Sequence, residues 1–228
     1  YSPSQGYLSY REKLVDYYKK YDINVSADDI IITSGGSEAV LFAFLSCLNP
    51  GDEIIVPEPA YANYMAFAIS AGAKIKTIAT TIEEGFSLPK VEKFEELINE
   101  RTRAIMICNP NNPTGYLYTR REMNQIRDLV KKYDLYLFSD EVYREYIYTG
   151  SPYISACHLE GIEQNVRGEA GSEHHGAPGK EGILGLLARL AQNHIAVLGA
   201  GDPDGEDQHT KADDQVVRAQ GITEEEPD

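Results

Sequence analysis

From Asp29 to Asp140 the chain alternates short β-branched or apolar runs with longer stretches of helical period, and Gly, Pro or Asn marks most junctions. A chain of this kind has few ways to bury its strands. Strands separated by helices pair in parallel, and helices then cover both faces of the sheet. The periodicities predict helices over Tyr7–Tyr21, Glu38–Leu48, Tyr61–Ala71, Val91–Asn99 and Arg120–Lys132. They predict strands over Asp29–Thr33, Glu53–Val56, Lys74–Ala79, Arg103–Cys108 and Leu135–Ser139. The expected fold is therefore α/β, a three-layer α/β/α arrangement around a mainly parallel sheet.

In such sheets ligands bind beyond the carboxyl ends of the strands, so the residues there carry the functional reading. Gly35-Gly36-Ser37 follows a strand and opens a helix. The first N–H groups of a helix favour a phosphate, and glycine lets the backbone approach it. A plain strand–helix turn with a serine cap accounts for the same residues equally well. The segment is neither GxGxxG nor a P-loop, so any phosphate belongs to something other than a nucleotide. Asn109-Pro110-Asn111-Asn112-Pro113-Thr114-Gly115 is stiffened by two prolines and can hold an amide against a ligand. Asp140 ends an apolar strand, where a carboxylate can pair with a cationic ring nitrogen or simply cap a turn. Tyr143 follows three residues later and reaches the same ligand if the chain turns; otherwise it is a packed core tyrosine.

Taken in order, Tyr1-Ser2-Pro3-Ser4-Gln5-Gly6, Ser34-Gly35-Gly36-Ser37-Glu38-Ala39, Pro57-Glu58-Pro59-Ala60-Tyr61, Asn109–Gly115 and Ser139-Asp140-Glu141-Val142-Tyr143 resemble the fold-type I, class I/II aminotransferases, the aspartate aminotransferase-like group that uses pyridoxal 5'-phosphate (PLP). The resemblance covers residues 1–166 and implies a partial PLP-transferase large domain. It implies that Gly36 and Ser37 hold the cofactor phosphate and that Tyr61 stacks on the pyridine ring. Asn112 and Tyr143 would bond the ring's phenolic oxygen, and Asp140 would pair with the protonated ring nitrogen. Tyr1 would reach the phosphate in a partner subunit, implying a homodimer. The implied substrates are an amino acid and a 2-oxo acid. A lyase or decarboxylase on the same scaffold and a non-catalytic PLP-binding module are the alternatives. Cis bonds are expected at Glu58–Pro59 and Asn112–Pro113.

The family's Ser-x-Ser-Lys segment, whose lysine forms the Schiff base, does not follow Asp140. Only Lys180 and Lys211 come after it, in unrelated contexts, so no catalytic residue is assigned. Composition changes at the same place. All 16 Tyr and 6 Phe lie at or before Tyr153, and residues 167–228 hold 5 Lys+Arg against 13 Asp+Glu. That tail is read as foreign to the fold, from a frame shift, a mis-assembled gene or a fusion, and as largely disordered apart from one short helix or strand within Gly182–Leu198. Sequencing the transcript across the junction tests this. The start at Tyr1 rather than Met reads as a second truncation.

A net charge of −15 argues against nucleic acid and anionic membrane as partners. No run is apolar for long enough to span a bilayer. Cys47, Cys108 and Cys157 are too few and too scattered for a disulfide framework, and a reducing, cytoplasmic setting is expected. His174-His175 reads as two solvated loop residues rather than a metal site, and no metal is expected.

Overall fold

The computed structural model describes residues 3–162 and the backbone of Ala196–Val197. Five strands form one sheet: β1 (Glu53–Glu58), β2 (Lys74–Ala79), β3 (Thr102–Cys108), β4 (Tyr136–Asp140) and β5 (Ala196–Val197). Their order is β2-β1-β3-β4-β5, and every pair is parallel. The helices are α1 (Leu8–Lys19), α2 (Gly36–Cys47), α3 (Asn63–Ser70), α4 (Val91–Glu95) and α5 (Arg120–Tyr133).

Side chains on successive strand residues point to opposite faces, and here both faces are apolar. Ile54, Val56, Ala104, Met106 and Phe138 pack with Val40 and Phe44 of α2 and with Tyr64 and Ala68 of α3. Ile55, Ile105, Ile107 and Leu137 pack with Phe94 of α4 and with Met123, Ile126, Leu129 and Val130 of α5. The sheet is thus the middle of three layers, as the apolar runs of its central strands β1, β3 and β4 require. Helix α1 stands apart, with Leu14 and Tyr18 in a smaller cluster with Ile23 and Ile30.

Besides α4, which ends at Glu95 rather than Asn99, two expected elements differ. Asp29–Thr33 is not a strand. The Asp29 carboxylate accepts from both the N–H (2.8 Å) and the hydroxyl (2.7 Å) of Ser26, which draws Ala27–Asp29 into a 3₁₀ turn. Such local side-chain bonds compete with strand formation. The β-branched run then leaves the turn outside the sheet, and the Ile32 N–H is taken by the carbonyl of Gln5 (3.0 Å). That contact brings Gly6 against Ile32. A Cβ on Gly6 would lie 2.4 Å from Ile32 Cγ1, and its φ of +90° also calls for glycine. The second difference is β1, which runs past Val56 through Pro57 to Glu58. Its pairing with β3 ends at Ile55, so the missing proline N–H lies beyond the stretch where β1 has neighbours on both sides.

Helix α5 begins as its sequence predicts. Thr119 accepts from the Glu122 N–H (3.3 Å), and the Glu122 carboxylate accepts from the Thr119 N–H (2.8 Å). The same carboxylate is buried and also accepts from the Leu88 N–H (2.8 Å) and the Tyr116 hydroxyl (3.0 Å). Glu122→Ala strips the acceptor from all of these donors. It is expected to cost about 2 kcal/mol in urea unfolding, more than a simple cap loss.

Candidate functional site

A pocket of about 190 Å³ opens beyond the carboxyl ends of β3 and β4 and is lined by Gly36, Ser37, Val40, Tyr61, Tyr64, Asn112, Asp140, Val142 and Tyr143. Six of these, Gly36, Ser37, Tyr61, Asn112, Asp140 and Tyr143, are residues that the sequence motifs single out. Tyr1 lies outside the described residues.

Each side of the pocket has a structural cause. Gly35 is extended, and α2 starts at Gly36, so the donors of its first turn have no carbonyl behind them within the helix. The Glu38 carboxylate turns back to the Ser34 N–H (2.6 Å) and hydroxyl (2.9 Å), and these bonds hold it below the usual carboxylate range. A Cβ on Gly36 would come 3.1 Å from Val142 Cγ1, so a residue without a side chain suits this close approach. The loop after β3 is tied down by Asn109, which is fully buried. Its amide donates to the Ile154 carbonyl (2.9 Å), and its oxygen accepts from the Tyr118 N–H (3.0 Å). The bonds Glu58–Pro59 and Asn112–Pro113 are cis, as expected, and so is Asn109–Pro110. Asn112 Nδ2 donates to the Tyr143 hydroxyl at 3.1 Å, so the two side chains converge on one point of the pocket wall.

Asp140 lies at the centre of the site. It is 7% exposed, and burial pushes its carboxyl above the usual range. Bonds from the Tyr64 hydroxyl (2.7 Å) and the Val142 N–H (3.2 Å) act in the opposite direction, without outweighing burial. Such a carboxylate gains from a cation brought into the pocket. Tyr64 was not foreseen on sequence. Its spacing of three from Tyr61 is the signal that could have found it. The two rings meet edge to face, with centroids 5.5 Å apart. Burial and the neighbouring Asp140 raise the Tyr64 hydroxyl well above its ordinary value, so it remains a donor. Tyr64→Phe removes a bond that favours the ionised Asp140. The Asp140 carboxyl should therefore titrate at higher pH in this variant, which ¹³C NMR of labelled aspartate checks.

Residues 1–171 match the family model described as aminotransferase class I and II. The chain belongs to this family. Aspartate aminotransferase of Pyrococcus horikoshii is 40% identical over 149 residues, 65% of this chain and 38% of that protein. Aromatic-amino-acid aminotransferase 2 of Thermococcus litoralis is 34% identical over 165 residues, 71% of this chain and 42% of that protein. Among solved structures, aspartate aminotransferase from Thermus thermophilus with maleate aligns with a TM-score of 0.65 at 33% identity, covering 69% of this chain and 41% of that one. The chain spans about two fifths of the length of the curated relatives it matches. As a class I and II aminotransferase segment, it has the parallel sheet and strand-end pocket that the motifs imply.

None of the three cysteines lines this pocket. Cys47, Cys108 and Cys157 are unpaired, and burial pushes each thiol up to about 12, which suits packing rather than nucleophilic work. Lys180, Lys211, His174 and His175 lie outside the described residues, as does most of the tail. Among the described residues no helix is long and apolar enough to cross a membrane.

Proposed function

We propose that this pocket holds pyridoxal 5'-phosphate and that the whole protein transfers an amino group between an amino acid and a 2-oxo acid. The observation that carries the reading is Asp140, a buried carboxylate raised by its surroundings at the end of β4, lining the same pocket as the first residues of α2. The donor set fits the cofactor from end to end. Gly36 and Ser37 bind the phosphate at the start of α2. Tyr61 stacks on the ring. Asn112 and Tyr143 meet the phenolic oxygen. Asp140 holds the proton on the ring nitrogen and is itself stabilised as a carboxylate by that cation. When bound, the cofactor supplies an electron sink for the bond-breaking at the substrate's α-carbon. This chain's residues bind it, orient it and keep its ring protonated.

We further take residues 1–166 as a partial large domain and residues 167–228 as a tail, which returns one strand, Ala196–Val197, to the sheet beside Ser139–Asp140. A homodimer in which Tyr1 reaches the neighbouring subunit's phosphate, and a cytoplasmic setting, belong to the same proposal. The three unpaired cysteines support that setting.

Calorimetric titration with pyridoxamine 5'-phosphate tests the cofactor reading. This form of the cofactor carries an amine and needs no lysine. Saturable binding is expected, tighter than that of inorganic phosphate. Binding no tighter than inorganic phosphate would count against the ring contacts. Borohydride treatment after loading with pyridoxal 5'-phosphate is expected to leave no adduct on Lys180 or Lys211.

A further inference from the structure

The turn that ends β4 alternates between two environments. Asp140, Val142 and Tyr143 line the pocket, while Glu141 and Arg144 are buried among protein groups. Glu141 is 0% exposed, and its carboxylate accepts four hydrogen bonds. Oε1 accepts from the Ser139 hydroxyl (2.9 Å) and the Ala156 N–H (2.8 Å). Oε2 accepts from the Ser155 hydroxyl (2.8 Å) and the Tyr153 hydroxyl. Three of these donors come from the 153–156 segment and one from β4. The Arg144 N–H closes the turn onto the Glu141 carbonyl (3.2 Å), and its guanidinium lies 5.4 Å from the Tyr18 ring centroid and 5.8 Å from that of Tyr17. A buried carboxylate is costly unless bonded, so four donors on one group make a rigid junction.

We propose that Glu141 is a positioning residue, clamping the 153–156 segment to the end of β4 so that the turn presents Asp140 and Tyr143 to the cofactor. The assignment rests on the cofactor reading above. It deepens that reading by naming the residue that sets the geometry from behind the pocket. Electrostatics points the same way. Asp140 faces Tyr64 from α3, Cys108 from β3, and Glu141 and Arg144 within its own turn. Burial is the main cause that raises the Asp140 carboxyl; the Glu141 charge adds to it, and Arg144 opposes it.

Glu141→Gln is the informative variant because it keeps the volume. The amide oxygen can still serve Ala156 and Ser139, while the NH₂ faces two hydroxyls that must turn to accept. Binding of pyridoxamine 5'-phosphate is measured for the wild-type chain, Glu141→Gln, Asp140→Asn and the double variant. Glu141→Gln is expected to weaken binding about fivefold when Asp140 is present and by less than about twofold when it is Asn, as coupled neighbours do. The acid limb of the binding profile should move to lower pH, because the negative charge that raises Asp140 is gone. A merely structural role would not move that limb. Ser155→Ala, which removes one donor from the clamp without touching the turn, is expected to show the same coupling at smaller size, and it decides the question if Glu141→Gln fails to fold. Equal losses in the two backgrounds, or an unmoved acid limb, would overturn the assignment alone. No binding by the wild-type chain would overturn the cofactor reading and this assignment with it.

Discussion

Asp140→Asn is expected to weaken pyridoxamine 5'-phosphate binding about a hundredfold, because losing one partner of a buried charge pair costs several kcal/mol. The variant keeps the shape of the side chain, although its NH₂ replaces the oxygen that accepts from the Val142 N–H. Its oxygen still accepts from Tyr64, but it offers no charge to a protonated ring nitrogen. The phosphate contacts proposed for Gly36 and Ser37 are untouched, so residual binding should approach that of inorganic phosphate. Calorimetry on the two proteins at one pH reads the ratio directly.

The same substitution should act on stability in the opposite sense. Burial raises the Asp140 carboxyl in the folded chain above its unfolded value. A raised carboxyl costs the fold nothing below the unfolded pKa, where both states are protonated. The cost appears as pH rises towards the folded pKa and is constant above it. Asparagine carries no such cost. Urea midpoints of Asp140→Asn should therefore gain on the wild type as pH rises through this window and then hold a constant lead. A residue that lowers stability while strengthening binding is the pattern of a functional group rather than of a cap.

Much of this site is legible in the sequence because the fold class itself says where to look. Once alternation implies a parallel sheet, the strand ends become the candidates, which gives Tyr61, Asn112, Asp140 and Tyr143; Gly36 and Ser37 are legible from their glycine-rich helix start and the motif order instead, because the strand expected before them does not form, and all six line one pocket. Tyr64 and Glu141 are less legible for physical reasons. Tyr64 lies on an apolar helix in a chain with 16 tyrosines, and only its hydroxyl bond to Asp140 separates it from core packing. Glu141 is a charged residue next to a strand end, which ordinarily reads as solvated. Its four donors lie up to 15 residues away along the chain and meet only in three dimensions. The Asp29–Thr33 error has the reverse cause. A β-branched run suggested a strand, and a capping pair three residues apart, Ser26 and Asp29, outweighed it.

Phe138→Ala should produce the largest stability loss among these variants, about 3–5 kcal/mol, the usual range for deleting a buried phenyl ring. Phe138 is 1% exposed and lies on β4 two residues before Asp140, against Phe44 of α2, with ring centroids 5.2 Å apart. Phe44 is itself fully buried, so the cavity would open between the central sheet and the helix whose first turn lines the pocket. Neighbouring aliphatic side chains such as Val40 and Met106 belong to the same cluster, and relaxation into the space would draw α2 towards β4. Tyr136, two residues earlier on the same strand face and 36% exposed, is the matched control, and its change to Ala should cost far less. Domains of this size are stable by only about 5–15 kcal/mol, so Phe138→Ala removes a large fraction of the total. Phe138→Leu restores most of the volume and should recover more than half of the loss in the same urea titration, whereas a contribution from the ring-to-ring contact with Phe44 would leave a remainder of about 1 kcal/mol.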